Sequence, residues 1–145
     1  MKATIYPYLL TLLKVLILFF APIKAMIFLV AFSTILDTGF GIWRAHKVGE
    51  KIQSKVFRHG LLPKLLSYVS AIMLIYVSDF YIINDLVHSF IEIDYLSTKL
   101  VALVLLSIEV KSIDESFQAV KGWSFLKKFT KLILKAKDIK KKIEE

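Results

Sequence analysis

The most constraining feature of this sequence is a pair of apolar segments joined by a short basic loop. The segments cover residues 26–43 and 65–83, and the loop between them contains six lysines and arginines against one acid, Glu50. A membrane-spanning helix needs ~20 mostly apolar residues, and short loops rich in Lys and Arg stay on the cytoplasmic side. The pattern therefore predicts a transmembrane hairpin whose loop, residues 44–64, is cytoplasmic.

Two further segments, residues 4–21 and 98–116, are predicted to span the membrane as the first and fourth helices. The chain is 57% hydrophobic, whereas soluble domains average ~45–50% apolar residues. Residues 84–97 contain three acids and no Lys or Arg, so this loop is predicted to be external. For residues 4–21 an alternative stays open, an amphipathic helix in the membrane interface with Lys14 turned to water.

The C-terminal segment is basic and amphipathic. Nine lysines lie between Lys121 and Lys142, and an apolar stripe with helical spacing runs through the same residues. Such a helix favours contact with an anionic membrane surface, although a solvated tail or a helix between protomers is also compatible with the pattern. The lysines predicted to face the membrane surface are Lys127, Lys128, Lys131 and Lys135.

These segments define the predicted fold class, an all-α membrane protein. Residues 1–117 form a domain of four transmembrane helices, and residues 118–145 form a basic amphipathic cytoplasmic tail. Four spans and the positive loop place both termini inside, so the predicted topology is N-in and C-in.

One face of the second predicted span carries small and polar residues at every fourth position. Residues at this spacing lie on the same side of a helix. Small residues let membrane helices approach closely, so this face is predicted to pack against another helix, either within one protomer or between protomers. Its members are Ser33, Asp37, Gly41 and Ala45.

Charged residues inside predicted spans are the strongest candidates for a functional site. An ionisable group in a span costs ~2.5–3.5 kcal/mol on insertion scales and usually faces a partner or a water-filled path. Asp37 and Glu109 fall at similar depths, and Lys14 is a candidate partner for either acid. We predict a network of these three residues, serving either as a static link in the bundle or as a polar lining exposed on oligomerisation.

No pattern of enzymatic chemistry is found in the sequence. The three histidines lack metal-ligand spacing, no phosphate-binding glycine loop is present, and the chain has no cysteine. We therefore expect no enzymatic activity, no metal and no cofactor. The net charge of +8 is not accompanied by a nucleic-acid-binding motif, so nucleic acid is not an expected partner.

Several short motifs occur together in a fixed order. The chain has Leu-Asp and a nearby glycine, then Ala-x-Lys-x-Gly-Glu, a lysine before the next span, and Glu-x-x-Ser-Ile-x-Glu in the last span. Over residues 27–130 this order resembles the toxin-secretion and phage-lysis holin family, in the form found in phages and prophages of Bacteroidetes-type bacteria. The matching positions are Asp37, Gly41, Lys47, Gly49, Lys64, Glu109, Ser112, Ile113 and Glu115. Phe40 and Ser116 depart from the Thr and Asn that the family often has there.

The resemblance implies a small multi-pass protein of the bacterial inner membrane. Such a protein forms homo-oligomers and permeabilises the lipid bilayer so that a lytic enzyme or toxin is released. Two alternatives remain because fold does not fix function. One is a non-lytic anchor or scaffold subunit with larger protein partners in a secretion or defence assembly, and the other is a small ion channel or transporter.

Overall fold

The computed structural model describes residues 2–50 and 60–144, and in these two ranges the chain is built from helices with no β-strand. The all-α prediction is thereby confirmed. The helices are α1 (Lys2–Phe19), α2 (Lys24–Val48), α3 (Leu62–Ser78), α4 (Asn84–His88), α5 (Leu96–Lys121) and α6 (Phe125–Glu144).

Two helical stretches are long and apolar enough to cross a membrane. They are Ala21–Val48, which includes α2, and Leu62–His88, which includes α3 and α4. A shorter apolar helix, Tyr6–Phe19, precedes them. The first and fourth predicted spans therefore stay predictions, since α1 offers a shorter apolar stretch and α5 carries several charged side chains.

The core lies where α2, α3 and α5 pack together. Its fully buried apolar side chains include Val30 of α2 and Ile72 and Tyr76 of α3. The Tyr76 hydroxyl donates a hydrogen bond of 2.8 Å to the carbonyl of Phe19, so the end of α1 is tied to α3. The rest of α1 is exposed from Tyr6 to Leu18.

A buried acid connects the end of α3 to the start of α5. Asp79 begins a π-helical turn, Asp79–Ile83, and is 0% exposed. Its Oδ2 accepts hydrogen bonds of 2.6 Å from both the N–H and the hydroxyl of Thr98. Asp79 is shielded from water because the N–H groups in the first turn of α5, which have no partner within their own helix, supply a partner inside the protein.

Helix α5 ends at a glycine that adopts a left-handed conformation. Gly122 has φ +75°, and its N–H bonds to the carbonyl of Gln118. This glycine stands just past the last helical residue, the usual place for such a helix end. The predicted boundary at residues 117/118 consequently falls inside α5, one helical turn before the chain changes direction.

Replacing Gly122 by Ala should destabilise this helix end by about 1 kcal/mol, because L-residues are strained in the left-handed region. Gly41→Ala is the matched control. A Cβ at Gly41 would meet no atom within 4 Å, and Ala is favoured over Gly inside a helix by about 0.5–1 kcal/mol. Thermal unfolding in detergent, followed by circular dichroism, should show a lower midpoint for Gly122→Ala and an equal or higher midpoint for Gly41→Ala. Equal midpoints for Gly122→Ala and the parent protein would contradict this prediction.

Candidate functional site

Three charged side chains from three helices meet where these helices pack together. The Lys64 Nζ lies 2.9 Å from Asp37 Oδ2 and 3.0 Å from Glu109, and it donates a hydrogen bond to each acid. Lys64 comes from α3, Asp37 from α2 and Glu109 from α5. We refer to Asp37, Lys64 and Glu109 as the charge cluster.

The helix positions of these residues explain why they meet. Asp37 lies 13 residues after the start of α2 and Glu109 lies 13 residues after the start of α5. At 1.5 Å per residue both acids are ~20 Å from the start of their helices. Lys64 is in the first turn of α3, so this turn is level with the middle of α2 and α5.

The charge cluster is more acidic than basic and is largely shielded from the surroundings. The side chain of Glu109 is 0% exposed, that of Asp37 13% and that of Lys64 32%. Two carboxylates face one ammonium group, which gives a formal charge of −1. Tyr68, one turn after Lys64, also lies near the Glu109 carboxylate. Such a group of charges persists in an apolar setting only while its members stay paired.

The lysine of this cluster differs from the one that the sequence suggested. Lys14 is exposed on α1, and no ion pair joins it to another described residue. Helix α1 touches the bundle mainly through its last residues, so Lys14 is held away from Asp37 and Glu109. Lys64 takes the place predicted for Lys14. Lys64 was predicted to be the last basic residue of the loop, immediately before the apolar run of residues 65–83.

The small and polar face of α2 is partly covered within the same chain. Ser33 is buried, while Asp37, Gly41 and Ala45 are half-buried. The Ser33 hydroxyl bonds to the carbonyl of Val30 at 2.8 Å. Gly41 nevertheless has open space where a side chain would project, so no close helix approach within the protomer requires glycine there.

The remaining motif positions do not join the charge cluster. Lys47 and Gly49 are exposed at the end of α2, where Gly49 has φ +79°. Ser112 and Ile113 are half-buried on α5. Glu115 is exposed and lies 3.9 Å from Lys111. The three motif residues that the fold brings together are thus the members of the cluster.

Most of the basic residues lie in two parts of the chain, residues 44–64 and helix α6. Residues 51–59, with three of the six basic residues of the predicted loop, lie outside the described part of the chain. On α6 the four lysines predicted to face a membrane are all exposed. The Lys128 Nζ lies 3.5 Å from the centre of the Trp123 ring, a cation–π contact that places a charge beside a large apolar side chain.

Among the described residues, no group of three or more His, Asp or Glu side chains could hold a metal ion. His88 pairs instead with Asp94, at 2.9 Å between Nε2 and Oδ1. The charge cluster itself has one basic group between two acids, an arrangement that can bind helices together or present charge to water.

Sequence reasoning missed two buried acids that organise the ends of helices. Asp79 binds Thr98, 19 residues further on, and no local pattern indicates such a pair. Asp114 binds Ser124 and the first turn of α6. Here a signal was present, because Ser before an amphipathic run is typical of the residue that caps a helix start.

No family model, no curated protein and no solved structure matches this chain. The function must therefore be inferred from the geometry of the chain and the chemistry of its residues.

Proposed function

We propose that this chain is a holin-like protein of the bacterial inner membrane, which oligomerises and permeabilises the bilayer. The observation that carries the proposal is the exposure of its most apolar helices. In each of the stretches Ala21–Val48 and Leu62–His88, only 17% of the most apolar 18-residue segment is buried within the protein. The core helix of a soluble protein would bury most of such a window, whereas a helix in lipid exposes it.

Four spans are proposed: α1, α2, the α3–α4 stretch and α5. Helix α5 is the most highly charged of these, but Glu109 is enclosed in the charge cluster. Lys99 and Lys111 are exposed, and long lysine side chains near helix ends can extend toward the membrane surface. With the segment between α2 and α3 inside, both termini are cytoplasmic.

Helix α6 is proposed to lie on the cytoplasmic membrane surface. It exposes lysines together with large apolar side chains such as Phe129, Leu132 and Ile133. A helix of this composition lies in the interface, with apolar groups in the lipid and lysines near anionic headgroups.

The charge cluster provides polar side chains that can line a water-filled pore. Asp37 and Lys64 retain some exposure at the edge of the bundle, and the cluster has one negative charge in excess. When protomers assemble, a polar group at this depth gains more by facing water than by facing lipid. In this proposal the cluster stabilises each protomer and becomes part of the polar lining after oligomerisation.

Reconstitution in liposomes tests the proposed function. Liposomes loaded with a small dye and a large labelled dextran should release both when protein density reaches the level at which oligomers form. Asp37→Asn removes the excess charge while leaving Lys64 paired with Glu109, so it should slow release. Asp85→Asn is the matched control, because Asp85 is an exposed acid of α4, and it should release dye at the parent rate.

The outcomes of this experiment separate the proposed function from its alternatives. Retention of both markers at densities where oligomers are present would contradict permeabilisation and favour a non-lytic anchor or scaffold. Ion flux with both markers retained would favour a channel. If Asp37→Asn and Asp85→Asn slow marker release by the same amount, the charge cluster has no specific role in permeabilisation.

A further inference from the structure

The start of α6 is held by a carboxylate from another helix. Asp114 of α5 is 7% exposed, and both of its oxygens accept hydrogen bonds. Its Oδ2 accepts from the Ser124 hydroxyl at 2.6 Å, and its Oδ1 accepts from the N–H groups of Phe125 at 2.8 Å and Leu126 at 3.3 Å. The Ser124 Oγ in turn accepts from the N–H of Lys127 at 3.0 Å.

These contacts satisfy the first three N–H groups of α6, which have no partner within their own helix. A cap supplied only by Ser124 would leave the helix free to change its direction relative to α5. The Asp114 carboxylate comes from ten residues before Ser124 and sits on a different helix axis. It therefore fixes both the position of the first turn and the direction in which α6 leaves α5.

Aromatic packing reinforces the same corner. The Phe117 ring centre lies 4.9 Å from that of Trp123 and 5.8 Å from that of Phe125. It also lies 6.2 Å from the ring centre of Trp43 on α2. The corner between α5 and α6 is consequently packed against the helix that carries Asp37.

We infer that Asp114 is a positioning residue that sets the orientation of α6. The orientation matters because α6 exposes lysines on one side and apolar side chains on another. The partner that fits this surface is a bilayer containing anionic lipid, and this part of the inference rests on the proposed function. By fixing the first turn of α6, Asp114 turns the apolar stripe toward the lipid and keeps the lysines at headgroup level.

The sequence contains no cysteine, so spin labels can be attached to single introduced cysteines without background labelling. Labels at Ser107 of α5 and Thr130 of α6, both exposed, would report the angle between the two helices in lipid nanodiscs. The parent protein should give one narrow distance distribution. Asp114→Ala should give a broad distance distribution. Asp114→Asn, which keeps one acceptor oxygen, should give a distribution of intermediate width.

Glu115→Ala is the matched control for these variants. Glu115 is the adjacent acid, it is exposed, and its nearest cation is Lys111 at 3.9 Å. Glu115→Ala should therefore give the same distance distribution as the parent protein. A distribution for Asp114→Ala as narrow as that of the parent, at the same distance, would overturn the positioning role, provided that the helix content is unchanged by circular dichroism.

A second measurement separates this inference from the proposed function. Single labels at Leu132 and Lys131 would be compared for accessibility to oxygen, which concentrates in lipid, on vesicles of phosphatidylglycerol and phosphatidylcholine. In the parent protein, oxygen should reach Leu132 more readily than Lys131, and Asp114→Ala should reduce the difference. No lipid contact at either site in the parent would contradict the membrane-surface role of α6, while the distance measurement would still decide whether Asp114 orients the helix.

Discussion

Lys64→Met is expected to destabilise the bundle strongly. It removes the cation that lies within 3.0 Å of both acids and leaves two carboxylates facing one another. Breaking a buried ion pair by removing one partner costs about 3–5 kcal/mol, and the lower end applies here because the Lys64 side chain is partly exposed. Thermal or denaturant unfolding of the purified protein in detergent would measure the change in the free energy of unfolding.

Two control variants make this prediction specific. Lys111→Met also removes a lysine, but the Lys111 side chain is 75% exposed, so its effect should stay within about 0.5 kcal/mol. Adding Asp37→Asn and Glu109→Gln to Lys64→Met removes the unpaired charges and should restore much of the lost stability. If the single and triple variants unfold at the same midpoint, charge pairing does not hold these helices together.

Asp79→Ala is expected to have a smaller destabilising effect than Lys64→Met. It removes the acceptor of both the N–H and the hydroxyl of Thr98, which is 0% exposed. A buried donor left without a partner costs about 1–3 kcal/mol, so a loss of about 2 kcal/mol in the free energy of unfolding follows. Asp79→Asn should cost less, because its amide oxygen can still accept one of these bonds.

The same unfolding assay provides the control for Asp79. Asp85→Ala removes an exposed acid from the next turns of the chain and should leave the midpoint unchanged. The double variant Asp79→Ala/Thr98→Val should be more stable than the sum of the single effects predicts, because the two side chains interact directly. Additive effects, or equal midpoints for Asp79→Ala and Asp85→Ala, would show that this contact does not stabilise the start of α5.

The helical elements were largely predictable because their signals are local. Continuous apolar runs indicated helices near α2 and α3, and apolar spacing with lysines indicated α6. The end of α5 lies one turn beyond the predicted boundary at residue 117, although Gly122 is the residue type that usually follows a helix end. The left-handed conformation of Gly122 is what ends the helix.

The charge cluster was predictable in part. Asp37 and Glu109 were placed at similar depth by counting residues along their helices, and the structure brings both acids to one cation. That cation is Lys64 because the first turn of α3 lies beside the middle of α2 and α5. The relative position of these helices along their axes is not indicated by any local sequence pattern. Asp79 and Asp114 were missed for a related reason, since each binds a helix start that becomes a neighbour only after the chain has folded.

The most direct test of the charge cluster is a nitrogen–carbon distance measurement in lipid bilayers. With ¹⁵N at lysine Nζ and ¹³C in the carboxyl groups of Asp and Glu, solid-state NMR would detect which acids lie next to Lys64, assigned by comparison with Lys64→Arg. The structure predicts dipolar contacts from Lys64 Nζ to both Asp37 and Glu109, in keeping with nitrogen–oxygen distances of 2.9 and 3.0 Å. A Lys64 signal without contact to either acid, or a contact of these acids with Lys14 instead, would contradict the cluster as the link between α2, α3 and α5.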